Sequence, residues 1–200
     1  MAFAAGPSGS RRPRLLRAGY LLEGTTLGWN VIGVGILAVA ALAARSVALG
    51  GFALDSLIEI GASIVVMWEL GGVGEARQRR AMRLIGVAFL TVAAYLAAQS
   101  TVVLAIGYHP KHSPLGILWT SVTAVVMFAL AAGKARVGVA LDNSVMRTEG
   151  RVTFIDGILA ATVLLGLLLN ALAGWWWADP VAGYALLYYA VREGSGALRH

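Results

Sequence analysis

The sequence has no cysteine and few charged residues. The absence of thiols excludes disulfides, thiolate zinc sites, iron–sulfur clusters and cysteine nucleophiles. Aspartate, glutamate, lysine and arginine make up only 13% of the 200 residues, whereas a soluble domain averages about 25%. The chain therefore carries too little charge for an ordinary water-exposed surface.

Hydrophobic residues, by contrast, make up 58% of the chain, and its mean hydropathy is +0.76. A soluble domain averages about 45–50% apolar residues. A domain of this size still exposes much of its surface, so a water-soluble fold cannot bury the whole excess. A surface that faces lipid accommodates it, and the composition predicts an integral membrane protein.

Six apolar runs separated by polar breaks are candidates for membrane spans. A hydrocarbon core of about 30 Å needs roughly 20 apolar residues in a helix. Alternating apolar and polar strands are absent, and backbone groups in lipid must pair internally, so helices are predicted. The predicted spans are residues 21–44, 51–70, 82–106, 115–133, 152–173 and the shorter 180–191. The predicted fold class is an all-α bundle of six transmembrane helices.

Lysine and arginine are distributed unequally between the two sides of this bundle. Fourteen fall on the side of the termini and two on the other. The fourteen are Arg11, Arg12, Arg14, Arg17, Arg77, Arg79, Arg80, Arg83, Lys134, Arg136, Arg147, Arg151, Arg192 and Arg199, against Arg45 and Lys111. Basic loops stay inside, so both termini are predicted to be cytoplasmic, in a multi-pass protein of the cell inner membrane. The net charge of +6 then reflects orientation in the bilayer, and no nucleic-acid partner is expected.

We expect this chain to form one membrane domain and no soluble domain. Residues 1–18 form a basic segment that we expect to be disordered, residues 19–193 the six-helix domain, and residues 194–200 a short tail. The first apolar run is about twice as long as a signal-peptide core, so we expect it to be retained as a span.

Four acidic side chains fall inside the predicted spans: Glu23, Asp55, Glu59 and Asp156. Each costs about 2.5–3.5 kcal/mol on insertion scales. Asp55 and Glu59 are four positions apart and lie on one helical face, where the two carboxylates repel unless a cation or proton lies between them. The alternative is pairing with buried arginine or lysine, but none falls in the central part of a predicted span. The pair predicts an oxygen-ligand metal site, which Asp156 joins as a third ligand.

Further polar residues share faces with these acids. Glu149, Asp156 and Asn170 are spaced by seven and fourteen positions on one stripe, which predicts a cavity lining or helix–helix hydrogen bonds. For Asn170 we favour the hydrogen bond. Glu23 lies close to the start of its span, so either contact with the cytoplasm or a role as cation or proton acceptor fits it. His109 and His112 lie in a loop beside a lysine, where solvated side chains are the expectation.

Two segments of the chain resemble the membrane domain of cation diffusion facilitators. The first is a small-residue stretch from Ser46 that leads into Asp55-Ser56 and Glu59. The second follows Asp156 and ends in Gly-Trp-Trp-Trp-Ala-Asp179-Pro180. The resemblance extends over residues 20–193 and implies six helices, divalent-cation efflux in exchange for protons, and a homodimer. It also implies a metal site of Asp55, Glu59 and Asp156.

The chain departs from this family pattern at two places. The position four residues before Asp156, often histidine or aspartate in the family, is Val152, so one protein ligand is lacking; water, a backbone carbonyl or Glu149 are the candidate substitutes. We also expect this protein to lack the cytoplasmic metal-binding domain of the family. An all-oxygen set of ligands favours manganese or ferrous iron over zinc as the transported ion, and no permanently bound cofactor is expected.

Two other functions compete with transport. An enzyme would need clustered acids with glycine and arginine, or a nucleophile with a histidine base, and the three histidines lie at the periphery. We therefore expect no enzymatic activity. The stronger alternative is a non-transporting accessory or sensor protein that binds metal, since Val152 removes a ligand.

Overall fold

The computed structural model describes residues 11–70 and 75–198, and these ranges form six helices joined by short turns and loops. The order and number of helices confirm the predicted all-α bundle. The helices are α1 (Arg11–Ala44), α2 (Val47–Leu70), α3 (Glu75–Ile106), α4 (Pro114–Ala140), α5 (Ser144–Ala173) and α6 (Ala178–Leu198).

Five of the six helices, α1 to α5, are long and apolar enough to cross a membrane, counting only the described residues. The sixth helix, α6, has 21 residues and is about 31 Å long at 1.5 Å per residue. It is therefore long enough to cross, but it is not among these five helices, and it carries Asp179, Arg192 and Glu193.

The helices extend beyond the apolar runs that predict them. Helix α1 begins at Arg11, so residues 11–18 are helical and not disordered as predicted; residues 1–10 lie outside the described ranges. Helix α5 begins at Ser144 instead of 152, and α6 continues through the predicted tail to Leu198, with residues 199–200 undescribed. The reason is that extending an existing helix costs little per residue, even where its side chains leave the hydrocarbon.

Local sequence signals fix several helix ends. The Ser113 hydroxyl caps α4 by accepting from the Gly116 amide at 3.1 Å, with Pro114 in the first turn. The Asn143 side chain caps α5 by accepting from the Met146 amide at 2.9 Å. Gly174, with φ 69°, ends α5 in the left-handed conformation that glycine adopts without strain.

The helices pack mainly in three pairs, α1 with α2, α4 with α5 and α3 with α6, and α2 also packs against α5 and α6. Glycine allows the closest approaches. A Cβ atom on Gly150 of α5 would lie 3.0 Å from the Ala135 amide nitrogen of α4, and one on Gly86 of α3 would lie 3.1 Å from the Gly194 carbonyl oxygen of α6.

Exposure is inverted relative to a soluble protein. Large apolar side chains such as Leu42, Val125 and Leu172 point outward, as a lipid-facing surface requires. The interior contains an apolar core around Leu49, Leu96 and Val163, yet it also encloses many polar and charged side chains. These buried polar groups define the candidate site.

Candidate functional site

The two acids of α2 lie together on its buried face. Asp55 and Glu59 are one helical turn apart, and both side chains are almost completely enclosed. Asp55 is eight residues from the start of α2 at Val47, which places it about 12 Å into the bundle. This face of α2 is covered because α2 packs against α5 and α6.

Asp156 of α5 faces the same region and is equally buried. Its carboxyl group lies close enough to Glu59 for the two groups to interact electrostatically, and Asp55 acts on both in the same way. Among the described residues, no donor contacts either oxygen of Glu59 or of Asp156. The structure thus brings the three predicted site residues into one neighbourhood and leaves at least two of the carboxyl groups without a donor.

The three carboxylates nevertheless do not close into a metal cage. Within residues 11–70 and 75–198, no group of three or more histidine, aspartate or glutamate side chains has the arrangement that holds one metal ion. Movement of side chains or of α2 relative to α5 is needed before all three can reach one ion.

Tyr189 of α6 is a neighbour of this site that sequence patterns did not single out. Its hydroxyl is buried, has no hydrogen-bond partner in the described part of the chain, and lies within electrostatic reach of Asp55, Glu59 and Asp156. Its ring packs edge-on against Phe89 at 6.0 Å between centroids. The only sequence signal for Tyr189 is its spacing from Asp179 and Leu186, which places all three on the buried face of α6.

Two more side chains extend the polar surface around the acids. Ser63 is one turn beyond Glu59 on α2, and its buried hydroxyl finds no partner among the described atoms. Glu193, predicted to end the membrane domain, lies on α6 and acts electrostatically on Asp55. The spacing of four between 55, 59 and 63 was a readable signal for Ser63.

A second group of buried charges corrects the prediction for Lys134. We placed this lysine in a cytoplasmic loop, but it lies inside α4 with 0% of its side chain exposed. Its ammonium group donates to Glu23 Oε2 at 3.1 Å, to Glu149 Oε1 at 3.1 Å and to Thr153 Oγ1 at 3.0 Å. Glu23 therefore points into the bundle and not to the cytoplasm. Glu149 contacts Lys134 and lies seven residues before Asp156 on the same face of α5. We call Glu23, Lys134, Glu149 and Thr153 the Lys134 cluster.

The sequence model of the cation efflux transmembrane domain matches residues 76–199 of the chain. The match covers more than half of the chain, namely α3 to α6, and includes Asp156, while Asp55 and Glu59 precede it. This chain belongs to the cation efflux family. No curated protein sequence matches it at a significant level. Membership makes the protein a multi-pass membrane transporter of cations, as the resemblance implied.

In this cation efflux protein, Asp179 joins α6 to α2. Asp179 lies in the first turn of α6, which begins at Ala178. The Asp179 carboxylate accepts hydrogen bonds from the Ser46 hydroxyl and, at 2.9 Å, from the Val47 amide. It thereby caps α2, the helix that carries Asp55 and Glu59.

Asn170 donates to the Pro110 carbonyl oxygen at 3.0 Å, so its bond goes to a loop and not to a neighbouring helix. His109 is exposed and packs against Trp176 at 4.8 Å between ring centroids. His112 is exposed as well. Val152 is partly buried one turn before Asp156 and offers no ligand atom.

Proposed function

We propose that this cation efflux protein exports divalent metal ions across the cytoplasmic membrane in exchange for protons. The observation that carries the proposal is the burial of Asp55, Glu59 and Asp156 within one neighbourhood, with no donor on the oxygens of Glu59 or Asp156 among the described residues. We assign these three carboxylates as the ligands of the transported ion.

Charge explains why a cation is the expected occupant. Isolated ionised carboxylates are costly to bury, so each needs a proton, a hydrogen-bond donor or a cation. Among the residues whose exposure is described, Lys134 is the one lysine or arginine that is buried. Its three N–H groups donate to Glu23, Glu149 and Thr153. Within the described part of the chain, no lysine or arginine is thus left to pair directly with Glu59 or Asp156, and a divalent ion or protons can supply the positive charge.

Exchange with protons follows from the same oxygens. A carboxylate that ligates a metal has lost its proton, and a protonated carboxyl group is a poor ligand. Metal ions and protons thus exclude each other at Asp55, Glu59 and Asp156. A proton gradient directed into the cytoplasm then favours release of the metal on the outer side.

The ligand chemistry favours a hard or borderline ion. Carboxylate oxygens suit manganese and, among the borderline ions, ferrous iron, whereas the imidazole that would favour zinc is replaced by Val152. The buried Tyr189 hydroxyl and water are the available neutral oxygens beside the acids. We rank manganese or ferrous iron above zinc.

Access from alternate sides requires the acids to move relative to one another. Asp55 and Glu59 lie on α2 and Asp156 lies on α5, so a small displacement between these helices closes or opens the site. Carriers of this type move helix bundles around a fixed central site. The homodimer is proposed on the resemblance to cation diffusion facilitators alone.

Metal uptake into proteoliposomes under an imposed pH gradient tests the proposal. Manganese, ferrous iron, zinc, cobalt and magnesium would be compared in wild-type protein, Glu59→Gln and Asp156→Asn. Asp142→Asn is the matched control, because Asp142 is an acid with a 94% exposed side chain outside the bundle. We expect flux that requires Glu59 and Asp156 but not Asp142. Equal flux in all variants would remove these carboxylates from the pathway.

A non-transporting metal-binding protein is the second candidate. It is favoured by Val152 and by the failure of the described acids and histidines to converge on one point. Metal binding that depends on Asp156, without flux of any tested ion, would identify this function.

A further inference from the structure

We infer that the Lys134 cluster is a proton-binding site, separate from the three carboxylates proposed for the metal, and that Glu23 holds its proton. The cluster joins three helices: Glu23 comes from α1, Lys134 from α4, and Glu149 and Thr153 from α5. The inference concerns proton binding in the absence of any metal, so it does not depend on the proposed transport function.

The Lys134 ammonium has no donor to spare. It carries three N–H groups, and these account for the contacts to Glu23 Oε2, Glu149 Oε1 and Thr153 Oγ1 at 3.1, 3.1 and 3.0 Å. Lys134 can therefore neutralise one of the two glutamates, and no hydrogen remains for their other oxygens.

The ionised cluster has one negative charge that is not compensated. Two carboxylates and one ammonium give the ionised cluster a net charge of minus one. The Glu23 side chain is 0% exposed, and its Oε1 has no hydrogen-bond partner in the described part of the chain. An uncompensated charge in such a place is too costly to persist, so the cluster binds one further positive charge.

A proton on Glu23 is the occupant that fits. The side chain of Glu149 is 7% exposed, and its second oxygen is not among the buried oxygens that lack a partner, whereas the Glu23 side chain is completely enclosed. A proton needs no coordination shell, and the contact of Glu23 Oε2 with Lys134 can remain when Oε1 is protonated. The bond that forms is O–H on Glu23, and Lys134 remains paired with ionised Glu149.

The charged groups around Glu23 are few. Lys134 from α4 and Glu149 from α5 act on it electrostatically, and α2, which also packs against α1, contributes no charged group to the cluster within the described residues. Glu59 and Asp156 interact with Glu149 and Lys134 but do not contact Glu23. The charged groups that act directly on Glu23 are therefore Lys134 and Glu149, both members of the cluster.

The position of the cluster gives the proton a role. Glu149 precedes Asp156 by seven residues on the same face of α5, which is about 10 Å along the helix. It lies toward the end of α5 that the basic residues predict to be cytoplasmic. With its proton the cluster is neutral; without it the cluster becomes an anionic site on the cytoplasmic side of Asp156 that attracts an incoming cation.

Infrared difference spectroscopy on purified, metal-free protein in lipid tests the inference, with the carboxyl C=O band identified by its shift in heavy water. If the cluster is neutral, the number of protonated carboxyl groups equals the number of its carboxyl groups minus the number of its ammonium groups. We expect one in wild-type protein, none in Glu23→Gln, none in Glu149→Gln, and two in Lys134→Met. The loss in Glu149→Gln is the discriminating result, because Glu23 is then left to pair with Lys134 alone.

Asp156→Asn and Asp55→Asn serve as controls, since both leave the count of the cluster unchanged and remove only bands of their own. Size-exclusion chromatography would show that each variant folds; if Lys134→Met does not, the two glutamine variants still decide. A carboxyl band that stays at wild-type intensity in both glutamine variants would overturn the inference. So would a band that is absent in wild-type protein until sodium is removed, because sodium would then be the occupant. Loss of metal flux with these bands intact would contradict the transport proposal alone.

Discussion

Lys134 Nζ of α4 lies 3.1 Å from Glu23 Oε2 of α1, and both side chains are completely enclosed by protein. This contact and the contact of Lys134 with Glu149 connect three helices on the side of the bundle that the basic residues predict to be cytoplasmic. Asp179 makes the corresponding connection between α2 and α6 on the opposite side. The acids proposed as metal ligands lie between these two fixed points.

Removal of the Lys134 ammonium should destabilise the protein strongly. Lys134→Met leaves Glu149 buried without its counter-charge and Glu23 without its donor, and breaking a buried ion pair in this way costs about 3–5 kcal/mol. The double variant Lys134→Met/Glu23→Gln should recover part of the loss, because one carboxylate is gone. Thermal unfolding followed by circular dichroism measures both, with the exposed Arg136→Ala of the same helix as control. Equal melting temperatures for Lys134→Met and Arg136→Ala would contradict the prediction.

Neutralising the proposed metal ligands should raise stability while abolishing binding. Glu59 and Asp156 have buried oxygens without donors in the described structure, so Glu59→Gln and Asp156→Asn remove charge repulsion from the metal-free protein. We expect higher melting temperatures in both variants and no further increase when manganese is added. In wild-type protein, metal should increase the melting temperature through preferential binding to the folded state. A metal-induced increase that persists in both variants would refute the ligand assignment.

Addition of an imidazole beside Asp156 should change the preferred metal. Position 152 lies one turn before Asp156, and histidine there can reach the same ion as the carboxylate. Val152→His should therefore raise zinc affinity more than manganese affinity, because imidazole nitrogen suits zinc better. Competition binding between the two ions measures the ratio, with Val152→Asn as a control of polarity alone. An unchanged ratio would mean that position 152 does not face the ion.

Metal affinity should fall as the pH is lowered. Each proton that a bound ion displaces from Asp55, Glu59 or Asp156 weakens apparent binding by about tenfold per pH unit over the range in which the group titrates. Calorimetric titration in buffers of different ionisation enthalpy counts the protons released. The count should decrease in Asp156→Asn, and it should be unchanged in Asp142→Asn. Binding that is independent of pH throughout would exclude exchange at these carboxylates.

Loss of the α2 cap should weaken the frame of the site. The Asp179 carboxylate accepts from the Ser46 hydroxyl and the Val47 amide in a buried position. Asp179→Ala leaves these donors unsatisfied, and such a loss costs about 1–3 kcal/mol. Ser46→Ala should cost less, since the amide bond remains. Chemical denaturation of both variants measures the difference, and a larger loss in Ser46→Ala would reverse the assigned importance of the two contacts.

Composition and periodicity determined much of this protein without a structure. The excess of apolar residues defined the membrane class, and the apolar runs predicted six helices in their order. The spacing of Asp55 and Glu59 placed both on one face, because a helix repeats every 3.6 residues whatever surrounds it. The motifs at Asp55, Asp156 and Asp179 indicated the family that the comparison with residues 76–199 shows.

Only the tertiary structure decided which buried charges meet. Periodicity within one helix does not state how that helix is rotated against another, so Lys134 was assigned to a loop although α4 continues past it. Its contacts with Glu23 and Glu149 span 111 and 15 residues of sequence, and the contact of Asp179 with Ser46 spans 133. Tyr189 becomes a neighbour of the acids only because α6 packs against α2. A charge buried in a membrane is costly without a partner, and the packing of the helices determines which partner lies within reach.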